Sequence, residues 1–125
     1  MWHIEHDPER SLLELRARGV LGLPAIDALS QAWATALAAT ASNPTVALFD
    51  LRGLEPLEGA AVERLNRRVK MPALAMPHIE RLVIVVDSAT NMLQQRHALL
   101  EPGREFVTRD TDHALALLWP KSSSP

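Results

Sequence analysis

Five groups of residues in this 125-residue chain could carry chemistry: Asp50, Asp87, a cluster of cations at 64–70, five histidines, and an uncharged Met/Pro segment at 71–77. Asp50 and Asp87 each follow an apolar run, Val46-Ala47-Leu48-Phe49 and Leu82-Val83-Ile84-Val85-Val86. The carboxyl ends of parallel strands are where open α/β sheets place ligand-binding groups. The plainer role for both is to accept backbone N–H bonds in the following turn. Neither has a base, nucleophile or second carboxylate spaced with it for acid–base work. Asp50-Leu51-Arg52-Gly53 carries a single glycine and no Lys-Ser or Lys-Thr pair, so it is not a phosphate-cradling loop. His3 and His6 fall on opposite faces of an alternating segment, and His78, His97 and His113 stand alone in sequence. No catalytic residue, metal site or cofactor is expected from these spacings.

Arg64, Arg67, Arg68 and Lys70 crowd the end of a helical pattern, where cations suit the negative end of the helix dipole and Glu63 to Arg67 is a favourable i,i+4 pair. Such a face is ordinarily solvated, and its functional use would be docking to an acidic partner or an anionic lipid surface. Met71-Pro72-Ala73-Leu74-Ala75-Met76-Pro77 reads as a Pro-bracketed apolar loop. It either lids the sheet or, through Met71, Leu74 and Met76, gates an apolar pocket or touches a membrane.

The elements that position these residues follow from period and punctuation. Residues 2–6 alternate as a strand, Asp7-Pro8-Glu9-Arg10 is a turn, and 11–18 returns with Leu13, Leu15 and Ala17 on a core face and Leu12, Glu14, Arg16 and Arg18 on a wet one. Pro24 opens an amphipathic helix to about Ala41, and Ser42-Asn43-Pro44 stops it. Residues 45–52 form a strand covered on both faces. A second helix spans about 57–70 with Glu63, Arg64, Arg67 and Lys70 facing out, and residues 81–87 form an internal strand. Ser88 or Thr90 caps a helix to about Leu100, a short strand spans 105–108, and Asp110-Thr111-Asp112 caps a last helix that Pro120 ends. This order implies a single α/β domain over 1–120, with a flexible tail at 121–125. Its sheet is mixed and four- or five-stranded, an antiparallel hairpin followed by parallel strands, with about four helices on its faces.

Composition narrows the function classes. Thirteen Lys and Arg against 15 Asp and Glu give a net charge of −2, which argues against nucleic acid as a partner. With no cysteine, disulfides and thiolate metal sites are excluded. The charged start Met-Trp-His-Ile-Glu-His does not read as a signal peptide, and no apolar run is long enough to cross a bilayer. A cytoplasmic location is expected, peripheral to a membrane if the apolar segment touches lipid.

The hairpin with Asp7-Pro8-Glu9-Arg10, the strand Val46 to Gly53, the strand Leu82 to Asp87 and the closing Asp112-His113-Ala114-Leu115-Ala116-Leu117-Leu118 together resemble the STAS-like family, small bacterial proteins similar to the sporulation anti-anti-sigma factor. The likeness runs from Trp2 to Trp119. It implies a mixed sheet flanked by helices and a role in protein regulation or ligand sensing without catalysis. In the anti-anti-sigma branch a phosphorylatable Ser lies within Asp-Ser-Ser-Gly, after an Asp-Leu-Ser-Gly strand end. Here Asp50, Leu51 and Gly53 match, Arg52 replaces the first Ser, and Glu58-Gly59-Ala60-Ala61 stand where the phosphoacceptor would be. Glu58 supplies one fixed charge where phosphoserine carries nearly two, so a kinase-driven switch is not expected.

The resemblance and the residues together point to a non-enzymatic regulatory or binding module. The expected surface for a protein partner comprises Asp50, Arg52, Gly53, Glu58, Gly59, Arg64 and Arg67. The alternative is a carrier or sensor of an apolar, lipid-like molecule using Met71, Leu74 and Met76. Trp33 and the apolar helix faces could serve a homodimer as readily as a core.

Overall fold

The computed structural model describes residues 1–120; the tail at 121–125 lies outside the described residues. Strands β1 (Trp2–Asp7) and β2 (Leu12–Ala17) form an antiparallel hairpin, followed by α1 (Leu23–Ala39), β3 (Thr45–Asp50) and α2 (Gly59–Leu65). Without a break, α2 runs through a π turn (Asn66–Lys70) into α3 (Met71–Leu74). Then come β4 (Ile79–Val85), α4 (Ala89–His97), β5 (Glu105–Thr108) and α5 (Thr111–Leu118). The five strands lie in the order β1-β2-β3-β4-β5, parallel from β2 onward. The mixed α/β sheet inferred from the sequence is therefore present with five strands, and α2 to α3 count as one of four helical rods.

Sequential strand order has a geometric consequence. Each crossover from β2 to β5 steps in the same direction, so right-handed connections lay α1, the α2–α3 rod and α4 on one face. That face holds the main core, in which Leu13, Leu15, Ala47, Phe49, Leu82 and Ile84 meet Ile26, Leu29, Trp33, Leu65 and Val69. The intervening strand residues Leu12, Val46, Val83 and Val85 point the other way and are covered by Ala114 and Leu118 of α5. Leu12, expected on the wet face of the hairpin, is thus buried, because α5 crosses back beneath β2 to β4. Trp33 is wholly core: its indole packs edge-on against Phe49 at 5.1 Å between centroids and donates from Nε1 to the Val69 carbonyl at 2.9 Å.

Local signals act as their chemistry requires. Ser88 Oγ accepts from the Asn91 N–H and Asp110 Oδ1 from the N–H groups of Asp112 and His113, capping α4 and α5. Pro24 sits in the first turn of α1, which ends two residues before the sequence suggests, with Ala41 and Ser42 in the left-handed region.

The Met71–Pro77 segment is not a loop in its first half. Residues 71–74 continue the helix, and Pro72 is accommodated because the preceding turn is widened, the Met71 N–H bonding back to the Asn66 carbonyl. The wide turn also corrects the register of the buried stripe. Ala61, Leu65, Val69 and Ala73 recur every fourth residue, more than the 3.6 of an α-helix, and the π turn takes up the excess. Lys70 is thereby turned inward. Expected to face solvent, it is fully buried.

Candidate functional site

At the carboxyl end of β3, Asp50 is nearly buried and both its oxygens are engaged by Arg52. Nε donates to Oδ1 at 2.9 Å and Nη2 to Oδ2 at 2.8 Å, while the Arg52 backbone N–H reaches Oδ1 at 3.2 Å. These hydrogen bonds hold the Asp50 carboxyl below its ordinary range, overriding the opposing effect of burial, and raise the Arg52 guanidinium above its own. Arg52 Nη1 lies 3.4 Å from Thr111 Oγ1 at the start of α5, tying the ends of β3 and β5 together. Asp87, beyond β4, does not cap its own turn: Oδ2 accepts the Gly53 N–H at 2.8 Å. Asp50 and Asp87 therefore frame one loop from either side, and each is committed to holding it.

That loop, residues 51–58, is fastened along its whole length. Gly53 at φ 81 presents its carbonyl to the Gly19 N–H at 2.9 Å, and the Glu55 N–H donates to the Gly19 carbonyl at 2.8 Å. A side chain at 53 would be strained in this left-handed conformation. On the other flank Asn91 Nδ2 donates to the Leu54 carbonyl at 2.7 Å. Gln94 pairs with Leu57 in both directions, Oε1 accepting the Leu57 N–H at 3.1 Å and Nε2 donating to its carbonyl at 2.7 Å. Two amide side chains of α4 thus act as a surrogate strand. Leu51, Leu54 and Leu57 are buried while Arg52, Gly53, Glu55, Pro56, Glu58 and Gly59 are exposed. Glu58 occupies the N-cap position of α2, with its side chain in solvent rather than capping.

The structure places Arg64 and Arg67 along the rod that leaves this loop. Arg64 Nη1 pairs with Asp27 Oδ2 of α1 at 3.0 Å, and Arg67 Nη2 pairs with Glu63 Oε1 at 2.7 Å in full solvent. The Asp50 to Gly59 candidates are contiguous, and Arg64 and Arg67 extend from them. Met71, Leu74 and Met76 are apart from that group: Leu74 and Met76 pack half-buried against the main core, and Met71 is exposed.

Sequence reasoning missed the buried charges. Lys70 Nζ donates to Glu105 Oε2 at 2.6 Å and to the Ala98 carbonyl at 3.2 Å, and Glu105 Oε1 accepts the N–H groups of Leu100 and Glu101. Burial pushes the Lys70 ammonium below its usual range, and the Glu105 carboxylate opposes that shift. The pair locks the α4–β5 connection onto the π turn. Asn91 and Gln94 were missed as well, since nothing in an isolated amide announces a backbone partner 37 residues away.

Among the described residues no group of three or more His, Cys, Asp or Glu side chains is placed to hold a metal ion. His78 Nε2 instead meets Thr40 Oγ1 at 2.6 Å, and His113 Nδ1 meets Thr108 Oγ1 at 3.2 Å. No helix among the described residues is long and apolar enough to cross a membrane.

Among solved structures, the chain is similar to an uncharacterized protein of the DUF3478 family with a SpoIIAA-like fold from Shewanella loihica PV-4. The likeness covers 94% of this chain and 92% of that one, with a TM-score of 0.64 and 23% identity. The fold is SpoIIAA-like. This is the STAS-like architecture that the hairpin and strand-end motifs suggest. No family model matches the sequence, and no curated protein matches it.

Proposed function

We propose that this chain is a non-enzymatic, cytoplasmic regulatory module whose protein partner docks on the exposed edge of residues 52–59 and the adjoining outer face of α2. The observation that carries this reading is the fastening of the loop: three backbone bonds to Gly19 and Asp87 and three to Asn91 and Gln94 fix an exposed edge in one shape. A pre-organised surface binds without the cost of ordering a loop. The carboxylates at the strand ends support the non-catalytic half of the reading. With both oxygens of Asp50 taken by Arg52 and its pKa lowered, the group is held as an anion and is poorly suited to exchange protons with a substrate.

Charge describes the partner. Glu55 and Glu58 make the loop acidic, while Arg67 and Arg68, on the π turn that continues α2, present exposed cations beyond it, so the complementary protein presents cations to the loop and anions to the π turn. The SpoIIAA-like fold agrees with a role of this kind. The apolar-ligand reading has weaker support, because two of its three residues are occupied in packing the core.

Affinity capture from cells of the source organism compares the wild type with Glu58→Arg/Arg67→Glu, which reverses exposed charge on the proposed surface, and with Glu80→Arg, whose exposed side chain lies at the opposite end of the sheet. The account expects a protein that the wild type and Glu80→Arg retain and the double variant loses. An unchanged set of captured proteins in all three would overturn the placement of this surface.

A further inference from the structure

The sheet ends at β1, and the chemistry of that edge fits a second copy of the same chain. The phase of the β1–β2 ladder shows which groups face outward. Met1 and Arg18 exchange both backbone hydrogen bonds, Met1 N to Arg18 O at 3.0 Å and Arg18 N to Met1 O at 2.9 Å. Because hydrogen-bonded pairs recur at every second residue of an antiparallel ladder, His3, Glu5 and Asp7 also turn their backbone groups toward β2. Trp2, Ile4 and His6 therefore turn theirs away from the sheet. Several devices that usually blunt an edge are missing from β1, whose charged side chains are the carboxylates Glu5 and Asp7. Six residues long, it contains no Pro and no Lys, and its register with β2 is unshifted, whereas β5 at the other edge is four residues long with Pro102 just before it.

We infer that two copies of this chain associate through their β1 edges, antiparallel about a two-fold axis at Ile4. Three two-fold registers fit the phase and overlap well, centred on His3, Ile4 or Glu5, and charge distinguishes them. Centring on Glu5 sets two carboxylates face to face, a cost for like charges directly opposite, and centring on His3 sets imidazole against imidazole with no carboxylate opposite either. Centring on Ile4 sets His3 against Glu5 of the second copy, twice by symmetry. That pair is non-hydrogen-bonded in the backbone, the arrangement that brings side chains closest. Ile4 then exchanges both backbone bonds with its own counterpart, and Trp2 does so with His6. On that same face Trp2 and Ile4 already lie half-buried against the main core, so Ile4 meeting Ile4 continues an apolar surface across the axis.

The ladder phase supplies a selective variant. Ile4→Pro removes an N–H that points away from β2, so the hairpin keeps its own bonds while the ladder between copies loses its centre. Glu5→Lys tests the register without touching the backbone. Within the chain it exchanges the exposed 3.8 Å contact of Glu5 with Arg16 for proximity to Glu14, directly across the hairpin. Sedimentation equilibrium of the wild type, at concentrations raised to about 1 mM where associations with a dissociation constant of that order are half formed, is expected to approach twice 13.8 kDa. Ile4→Pro and Glu5→Lys, each checked for native circular dichroism, are expected to weaken association at least tenfold. The exchange His3→Glu/Glu5→Lys is expected to restore it, since a carboxylate again faces a hydrogen-bond donor across the axis. A wild type that stays monomeric throughout would overturn the inference. So would a dimer that folded Glu5→Lys leaves intact, or one that the charge exchange fails to rescue.

Discussion

Lys70 is fully buried, and two acceptors receive its ammonium. Lys70 meets Glu105 and the Ala98 carbonyl, and Glu105 in turn satisfies two backbone N–H groups of the α4–β5 connection. Removing one partner of such a pair strands the other charge, so Lys70→Met is expected to destabilise the fold by about 3–5 kcal/mol. Adding Glu105→Gln keeps an acceptor for Leu100 and Glu101 and removes the stranded charge, so the double variant is expected to regain much of that loss in urea unfolding. Asp50 is buried too, but its surroundings favour the charged form where burial disfavours the charge of Lys70. Its folded pKa is lowered from 3.8, chiefly by the side-chain hydrogen bonds from Arg52. Its contribution to stability is therefore complete above the unfolded value and is lost as pH falls through the depressed folded one. Unfolding measured across the acid range should show this loss in the wild type and a shallower decline in Asp50→Asn.

The loop at 51–58 gains its order from groups outside it, Gly19 and Asp87 on one flank and Asn91 and Gln94 of α4 on the other. Gln94→Ala removes both bonds to Leu57 and should cost about 1–2 kcal/mol. Its sharper signature is local: amide exchange at Leu57 should accelerate well beyond the change at core strands such as β4, because the opening becomes local. This contrast also marks what was legible in the sequence. Strands β1 to β5, the α1 start at Pro24 and the caps at Ser88 and Asp110 each follow from a periodicity or a residue whose partner lies within a few positions. The strand-end residues Asp50, Arg52 and Gly53 were legible for the same reason. The π turn was not, because Pro72 ordinarily ends a helix and a 3.6-residue count places Lys70 outside the buried stripe. Nor were the roles of Glu105, Asn91 and Gln94, each of which acts on a group at least 28 residues away or across an element boundary. Leu12 shows the same limit, since only α5, a hundred residues later, makes its face a core.

Over the whole molecule, the sequential strand order divides the labour unequally between the two faces. Three helical rods cover one face, and α5, eight residues long, is the principal cover of the other. The second core should therefore be sensitive to single losses: Leu118→Ala is expected to lower stability by about 2–4 kcal/mol, read from the urea midpoint. The same topology leaves the β1 edge at one side and delivers the fastened loop at the carboxyl ends of β3 and β4. The surfaces proposed for self-association and for partner docking are thus separate. The central claim, that a protein partner reads the 52–59 edge and the outer face of α2, is tested most directly by hydrogen exchange of the chain in complex with the partner that affinity capture retains. The account predicts new protection concentrated at residues 52–60 and along α2, with the turn at 8–11 unchanged. Protection confined to that turn or to α5, with 52–60 exchanging as in the free chain, would contradict it.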